Sequence, residues 1–219
     1  MFIKDIPLLK NVFISPFQSA EEASDLMAKH HSWDVPVVDG QTFIGIVNEG
    51  ILISEFKSPF IRDLKSKFTI KSVKTEDHLL FAYRTMLQSG IFMMPVLNDD
   101  NQFVGTLSRL VLFENFGKVF GFFEPGSLIV IRVLKRDFSL SRVCHLIESE
   151  GGSVLSSFVS SDSDSDFLNL SLRLQTVEIN DVVSTLKRHE YDVLSFYNED
   201  QLKGLLDDRY DQLINYLNI

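Results

Sequence analysis

The first half of the chain repeats one pattern of apolar and polar positions. Residues 35–52 read VPVVDGQTFIGIVNEGIL, and residues 94–112 read MPVLNDDNQFVGTLSRLVL. An offset of 59 residues aligns the two Pro-Val pairs, and one additional residue in the second turn raises the offset to 60, which aligns Gly45 with Gly105. A change of one residue within a hairpin turn leaves the inward and outward faces of the flanking strands intact. The pattern therefore predicts a duplicated structural unit.

Each copy predicts the same order of elements. Apolar residues at helical spacing predict one helix that begins at Ala20 with Ser19 as its N-cap, and another that begins near Leu79 after Thr75 and Asp77. Further short helices are expected from about Glu49 and Arg109. Apolar runs predict strands over residues 35–38, 42–47, 94–97 and 102–107. Each unit is thus strand, helix, strand, strand, helix, and one copy alone would leave a sheet face uncovered.

A change of composition separates the duplicated half from the rest of the chain. Residues 115–127 read NFGKVFGFFEPGS, which combines glycines and a proline with four phenylalanines. Glycine and proline predict a linker, placed at residues 118–127. Because so many aromatic side chains are costly in water, the segment is expected to pack against a domain or a second subunit.

The second half predicts a different order of elements. Strands are expected over residues 128–134, 153–160, 167–175 and 191–196, with helices over about 140–150 and 179–189. This is the β-α-β-β-α-β order of ferredoxin-like folds. Residues 199–219 place leucines at helical spacing from Leu202 to Leu217 and predict an amphipathic C-terminal helix that packs on its own domain or on a second subunit.

Composition and charge exclude several classes of protein. The chain has 219 residues, 45% of them apolar, and 30 acidic against 21 basic residues give a net charge of −9. No dense stripe of Lys and Arg appears, so nucleic acid is not an expected partner. No apolar run of about 18 residues predicts a membrane span, and the N-terminus lacks the pattern of a signal peptide. A single cysteine, Cys144, excludes an intrachain disulfide. Together these features predict a cytoplasmic protein.

The candidate catalytic and metal-binding motifs are incomplete. Asp162, Asp164 and Asp166 alternate like the start of a calcium loop, but Phe167 and Arg173 stand where glycine and glutamate are required. The histidines show no zinc spacing with one another or with the cysteine. No phosphate-binding loop, dinucleotide fingerprint or nucleophile elbow occurs. We therefore expect no enzyme and no metal site.

The duplicated pattern resembles the CBS domain, which occurs as tandem pairs called Bateman modules. The resemblance covers residues 1–117, with repeats over about 1–58 and 59–117. It implies a regulatory module that binds adenosine-containing ligands in clefts between the two repeats. AMP, ADP, ATP and S-adenosylmethionine are the ligands that the resemblance implies, and the choice among them stays open.

The resemblance also implies which positions would contact such a ligand. A family threonine after the second strand corresponds to Asn48 and Ser108, and a ribose-binding aspartate corresponds to Ile51 and Val111, which accept no hydrogen bond through their side chains. Arg109, beside Ser108, is a candidate phosphate contact. The candidate ligand-binding residues are therefore Ser108, Arg109, Asn48, Met94 and Val35, the last two standing before the repeated prolines. If a nucleotide binds, we expect it beside Ser108 and Arg109.

Residues 128–198 are similar to the ACT domain, a small regulatory domain that often binds amino acids. The turn after its first strand, Arg136 to Ser139, lacks the glycine that allows close approach to an amino acid. A CBS pair followed by an ACT-like domain resembles bacterial acetoin-utilization and CBS-domain proteins. The fold class implied is α/β (α+β), with a CBS pair, a ferredoxin-like βαββαβ domain and a C-terminal helix.

Two functions are consistent with these features. The first is a regulatory or sensor protein that binds a small metabolite without catalysis. The second is a protein-interaction scaffold whose clefts have lost ligand binding, as Ile51 and Val111 suggest. In both cases we expect a homodimer, because the linker phenylalanines and the leucines of residues 199–219 provide a surplus of apolar surface.

Overall fold

The computed structural model describes residues 1–54, 59–161, 165–175 and 178–198. It forms two compact units, Met1–Phe116 and Gly117–Ile219. The predicted C-terminal helix over 199–219 lies outside the described residues, as do Asp162 and Asp164. No helix in the described part of the chain is both long enough and apolar enough to cross a bilayer.

The first unit contains the predicted helices and hairpins of both repeats. Its strands are β1 (Asp34–Asp39), β2 (Thr42–Asn48), β3 (Val73–Lys74), β4 (Met93–Leu97) and β5 (Phe103–Ser108). Its helices are α1 (Ala20–Lys29), α2 (Glu49–Ser54), α3 (Leu79–Ser89) and α4 (Arg109–Val119). These bounds confirm the predicted elements to within one or two residues wherever both ends were predicted.

Helices α1 and α3 begin at caps of different kinds. Ser19 caps α1 in a reciprocal pair with Glu22, as predicted. The cap of α3 is His78, whose Nδ1 accepts from the Leu80 N–H at 3.3 Å. The Asp77 carboxylate, one residue earlier, accepts from the Lys74 N–H at 2.7 Å.

Backbone pairing preserves the 59-residue offset. Ile14 forms a parallel bridge with Val37, and at the aligned position Val73 pairs in parallel with Val96. Both hairpins carry an irregularity at aligned positions, between Val37 and Val38 in one and between Val96 and Leu97 in the other. The first strand of each predicted unit is thus reduced to a single bridge in one repeat and to two residues in the other.

The segment that begins each repeat packs on the other repeat. These leading segments, residues 2–9 and 60–69, carry FIKDI and FIRDL at an offset of 58 residues. The Ile3 N–H donates to the Asp77 carbonyl at 3.0 Å, and the Ile61 N–H donates to the Gln18 carbonyl at 2.9 Å. Further along, Leu9 bridges Thr106, and Thr69 bridges Ile46. The two repeats have therefore exchanged their leading segments.

The exchanged segments complete both hydrophobic cores. Ile3 and Ile6 belong to the core of the second repeat, whereas Ile61, Leu64 and Phe68 belong to the core of the first. The repeated glycines mark where these segments cross. A Cβ at Gly45 would lie 2.6 Å from the Phe68 Cβ, and one at Gly105 would lie 2.9 Å from the Leu8 Cβ. Glycine is needed at both positions because a larger residue would collide with the crossing segment.

The second unit has the predicted ferredoxin-like order. It comprises β6 (Gly126–Leu134), α5 (Leu140–Ser149), β7 (Val154–Ser160), β8 (Phe167–Gln175), α6 (Ile179–Arg188) and β9 (Asp192–Tyr197). The strand order is β7-β8-β6-β9, and all neighbouring strands are antiparallel. Alternate residues of the central strands, such as Ile129, Ile131 and Leu172, form a core with the apolar faces of the two helices.

The predicted linker over 118–127 is partly regular and packs within the second unit. Helix α4 continues to Val119, and β6 already begins at Gly126. Between them, the Phe120 ring lies 4.7 Å from the Phe158 ring, centroid to centroid. The Arg173 Nε donates to the Gly121 carbonyl at 2.8 Å. Of the two expected partners for these aromatic residues, the structure shows packing on the domain that follows.

Candidate functional site

The two candidate polar residues of the repeats begin helices. The Asn48 Oδ1 accepts from the Ile51 N–H at 2.9 Å, and the Ser108 Oγ accepts from the Val111 N–H at 3.2 Å. Both side chains thus satisfy a backbone donor that the first turn of a helix leaves without a partner. Asn48 is exposed, whereas Ser108 is buried.

The side chains at the two positions aligned with the family aspartate pack against the hydrophobic cores. Ile51 is partly buried against the core of the first repeat, and Val111 is partly buried against the core of the second. Neither supplies a carboxylate to a cleft. The two remaining candidates, Val35 and Met94, are fully buried, and their side chains belong to the same two cores.

Arg109 is held by its own repeat. Its Nε donates to the Ile91 carbonyl at 2.9 Å, and its guanidinium carbon lies 3.7 Å from the centroid of the Phe92 ring. This is a cation–π contact at short range. The side chain expected to reach for a phosphate therefore lies against an aromatic ring of its own repeat.

A cavity of about 280 Å³ lies between the repeats on the side of Asn48. It is lined by the end of β2, the start of α2, the leading segment of the second repeat and the end of α3. The lining residues are Trp33, Asp34, Ile46, Asn48, Glu49, Gly50, Thr69, Ser89, Gly90 and Ile91. Of the five candidates predicted from the sequence, only Asn48 is among them.

A second cavity adjoins the first repeat on the side of α1. It measures about 310 Å³ and shares Trp33 and Glu49 with the first cavity. Trp33 is the only tryptophan of the chain, and 58% of the residue is exposed. Neither Trp33 nor Glu49 was among the candidates predicted from the sequence. The repeat offset aligns Trp33 with Phe92 and Glu49 with the candidate Arg109, and this alignment could have identified them.

Asp34 is a buried carboxylate that joins the two repeats. One oxygen accepts from the Phe92 N–H at 2.8 Å, and the other accepts from the Met93 N–H at 2.7 Å. Only 5% of the residue is exposed. Burial raises the pKa of the Asp34 carboxyl above its usual value, while the two N–H donors and the nearby Arg109 guanidinium act in the opposite direction.

The lining of the cavity between the repeats is acidic. Asp34 and Glu49 carry carboxylates, and within residues 1–54 and 59–161 no lysine, arginine or histidine lines this cavity. Within the described residues, no group of three or more His, Cys, Asp or Glu side chains is arranged to hold a metal ion. Cys144 is half-buried, and burial raises the pKa of its thiol, which disfavours the thiolate.

Comparison with known proteins gives one family and a set of related folds. The family model described as CBS domain matches residues 3–58 and 61–116. Among solved structures, a CBS domain pair/ACT domain protein from Thermotoga maritima is 18% identical, with 54% of this chain and 98% of that chain covered and a TM-score of 0.47. The comparison with curated proteins found no match.

Two other solved structures were determined with ligands. CBSX2, a CBS-pair protein from Arabidopsis thaliana, was crystallised in complex with AMP; it is 22% identical, with 54% of this chain and 97% of that chain covered and a TM-score of 0.45. A CBS domain pair in complex with 5′-methylthioadenosine and S-adenosyl-L-methionine is 21% identical, with 53% of this chain and 100% of that chain covered and a TM-score of 0.44.

Proposed function

Because the chain belongs to the CBS-domain family, we propose that it is a regulatory protein that binds an adenosine-containing metabolite between its repeats without transforming it. The observation that carries this proposal is the cavity of about 280 Å³ that both repeats line. Its volume is close to the lower end of the range, about 300 Å³, for pockets that bind small molecules. Its polar groups include Asn48, Thr69 and Ser89, which can form hydrogen bonds to the base and the ribose.

The proposed site is the cleft at Asn48 and not the cleft at Ser108 and Arg109 that the sequence favoured. In the second cleft, Arg109 already lies on the Phe92 ring, and the Ser108 hydroxyl already accepts a hydrogen bond from the Val111 N–H. A ligand that entered there would have to displace Arg109 from that ring. At Asn48, by contrast, the structure already contains a cavity of about 280 Å³.

Filling the proposed cavity should abolish ligand binding. We expect Ser89→Phe to remove the response to adenosine compounds, because Ser89 lines the cavity and a phenyl ring would occupy it. Thermal shift and calorimetry with AMP, ATP, 5′-methylthioadenosine and S-adenosylmethionine provide the measurement. A ligand at a hundred times its Kd should stabilise the wild-type protein by about 2.7 kcal/mol.

The matched control is His30→Phe, at the position aligned with Ser89 in the other repeat. We expect this variant to bind as the wild type does. The reverse result, with binding lost in His30→Phe and kept in Ser89→Phe, would assign the ligand to the cleft of Ser108 and Arg109. Absence of any stabilisation by the four ligands would contradict the proposed function.

The second candidate function is an interaction scaffold, and the apolar residues Ile51 and Val111 favour it. A ribose-binding carboxylate is absent from both repeats at these positions. A scaffold would recover the same protein partner with and without adenosine compounds. For the second unit, we propose an ACT-like regulatory domain on the basis of its strand order.

We also propose that the protein is a homodimer joined through one helical face of the second repeat. This repeat-2 face consists of Leu80 and Leu87 on α3 and Leu110 and Phe113 on α4, with exposed fractions between 53% and 77%. Helices α3 and α4 are joined by an edge-to-face contact of Tyr83 with Phe116, whose centroids are 4.9 Å apart. Taking roughly 200 Å² for each large side chain, the face exposes about 500 Å² of apolar surface.

The first repeat provides an internal comparison for this face. The residues aligned with Leu80, Leu87, Leu110 and Phe113 are Glu21, Ala28, Gly50 and Ile53. The same positions of the same fold are therefore mostly charged or small in one repeat and large and apolar in the other. Apolar surface of about 500 Å² is sufficient for the centre of an interface of about 800 Å² per partner. Because a face of this kind is complementary to itself, a second copy related by two-fold symmetry is the proposed occupant.

A further inference from the structure

The two clefts contain aligned aromatic residues next to side chains of opposite charge. Trp33 aligns with Phe92, and Glu49 aligns with Arg109. Their backbones have the same arrangement, because the Glu49 N–H donates to the Trp33 carbonyl at 2.9 Å and the Arg109 N–H donates to the Phe92 carbonyl at 3.0 Å. The two sites thus share a backbone and differ in charge.

In the second cleft, a cation of the protein itself covers the aromatic ring. The Arg109 guanidinium carbon lies 3.7 Å from the Phe92 centroid. The face of an aromatic ring is negative, so it attracts a cation and repels a carboxylate. Glu49 cannot cover Trp33 in the way that Arg109 covers Phe92.

In the first cleft, no cation among the described residues takes the equivalent place over the Trp33 ring. Trp33 is 58% exposed, and no cation–π contact involves it within the part of the chain that the structure describes. Glu49 lines the same cavity, and Asp34 adds a second carboxylate whose oxygens are already hydrogen-bonded. The surrounding protein carries a net charge of −9. A negative ring face and an exposed carboxylate together favour a positive charge on the ligand.

We infer that the first cleft selects a positively charged ligand, namely an organic cation of the sulfonium or ammonium class attached to an adenosine. The cation lies over the Trp33 ring and beside the Glu49 carboxylate, the place that Arg109 takes in the other cleft. Nucleotides with free phosphates bind weakly, because no basic side chain lines the cavity among the residues that the structure describes. This inference rests on the proposed function for the adenosine part of the ligand and adds its charge.

A pair of ligands that differ in charge tests the inference. S-adenosylmethionine and S-adenosylhomocysteine differ by one methyl group, which makes the sulfur of the first a sulfonium cation. Titrations followed by the fluorescence of the single tryptophan are expected to show at least about tenfold tighter binding of S-adenosylmethionine. AMP is expected to bind more weakly than either.

Removing the charge of Glu49 should remove the preference. We expect Glu49→Gln to weaken the binding of S-adenosylmethionine about tenfold and to leave S-adenosylhomocysteine unchanged. The control, Glu21→Gln, removes an exposed carboxylate that does not line the cavity, and it should bind both ligands as the wild type does.

Failure of the inference can be distinguished from failure of the proposed function. Equal affinity for the two ligands would overturn the charge preference and leave adenosine binding in place. If neither ligand binds, choline serves as a cation without adenosine. A fluorescence response to choline that Glu49→Gln abolishes would retain the cation site and contradict the adenosine proposal, whereas no response to any of the three would overturn both.

Discussion

Phe113→Glu is expected to convert the protein from a dimer of 25.0 kDa chains into a monomer. Phe113 is 77% exposed in the isolated chain, so a glutamate there costs the folded monomer little. In a dimer that meets through the repeat-2 face, the same carboxylate would be buried without a partner, which costs several kcal/mol. Light scattering at micromolar concentration measures the twofold difference in mass.

The control for this variant is Ile53→Glu, at the aligned position of the first repeat. Ile53 is 71% exposed, so the change in charge and in local environment is closely matched. We expect this variant to remain a dimer. A wild-type protein that is itself monomeric would refute the proposal. A Phe113→Glu dimer that becomes monomeric only when residues 199–219 are removed would assign the interface to that segment instead.

Asp34→Ala is expected to lower the free energy of unfolding by about 3 kcal/mol. The substitution leaves the N–H groups of Phe92 and Met93 buried without an acceptor, and each unsatisfied donor costs about 1–3 kcal/mol. It also removes the carboxylate that faces Arg109. Urea unfolding followed by circular dichroism gives the change in midpoint and slope.

Two comparisons separate this effect from a general loss of charge. Asp39→Ala changes an exposed carboxylate at the other end of β1 and should shift the free energy by less than about 0.5 kcal/mol. Asp34→Asn keeps one acceptor oxygen and should fall between the two alanine variants. Equal stability of Asp34→Ala and Asp39→Ala would show that the contact between Asp34 and the second repeat does not stabilise the fold.

The helices and hairpins of the first unit could be predicted because local periodicity determines them. Ala20 to Lys29 and Leu79 to Ser89 bury apolar residues at helical spacing, and both hairpins place an apolar strand on each side of a polar turn. The exchange of leading segments could not be predicted in this way. FIKDI and FIRDL are visibly similar, but similarity does not indicate whether a segment packs on its own repeat or on the other one.

The residues of the candidate site could also be predicted only in part. Asn48 was identified through its alignment with a family position, and it does line the cavity. Arg109 was expected to face a ligand, yet its guanidinium lies on Phe92, a contact that depends on the conformation of one long side chain. Thr69, which the leading segment of the second repeat brings to the first repeat, lines the same cavity as Trp33 and Glu49.

Because the leading segments are exchanged, dividing the first unit between its repeats removes core residues from both halves. A fragment that stops before residue 59 would contain α1, β1 and β2 but lack Ile61, Leu64 and Phe68, which fill its core. The complementary fragment would lack Ile3 and Ile6. Neither half is expected to be folded when it is expressed alone, whereas mixing the two should restore a native circular dichroism spectrum, as in fragment complementation. We therefore expect the duplicated half of this protein to fold as one cooperative unit, although its sequence contains two repeats.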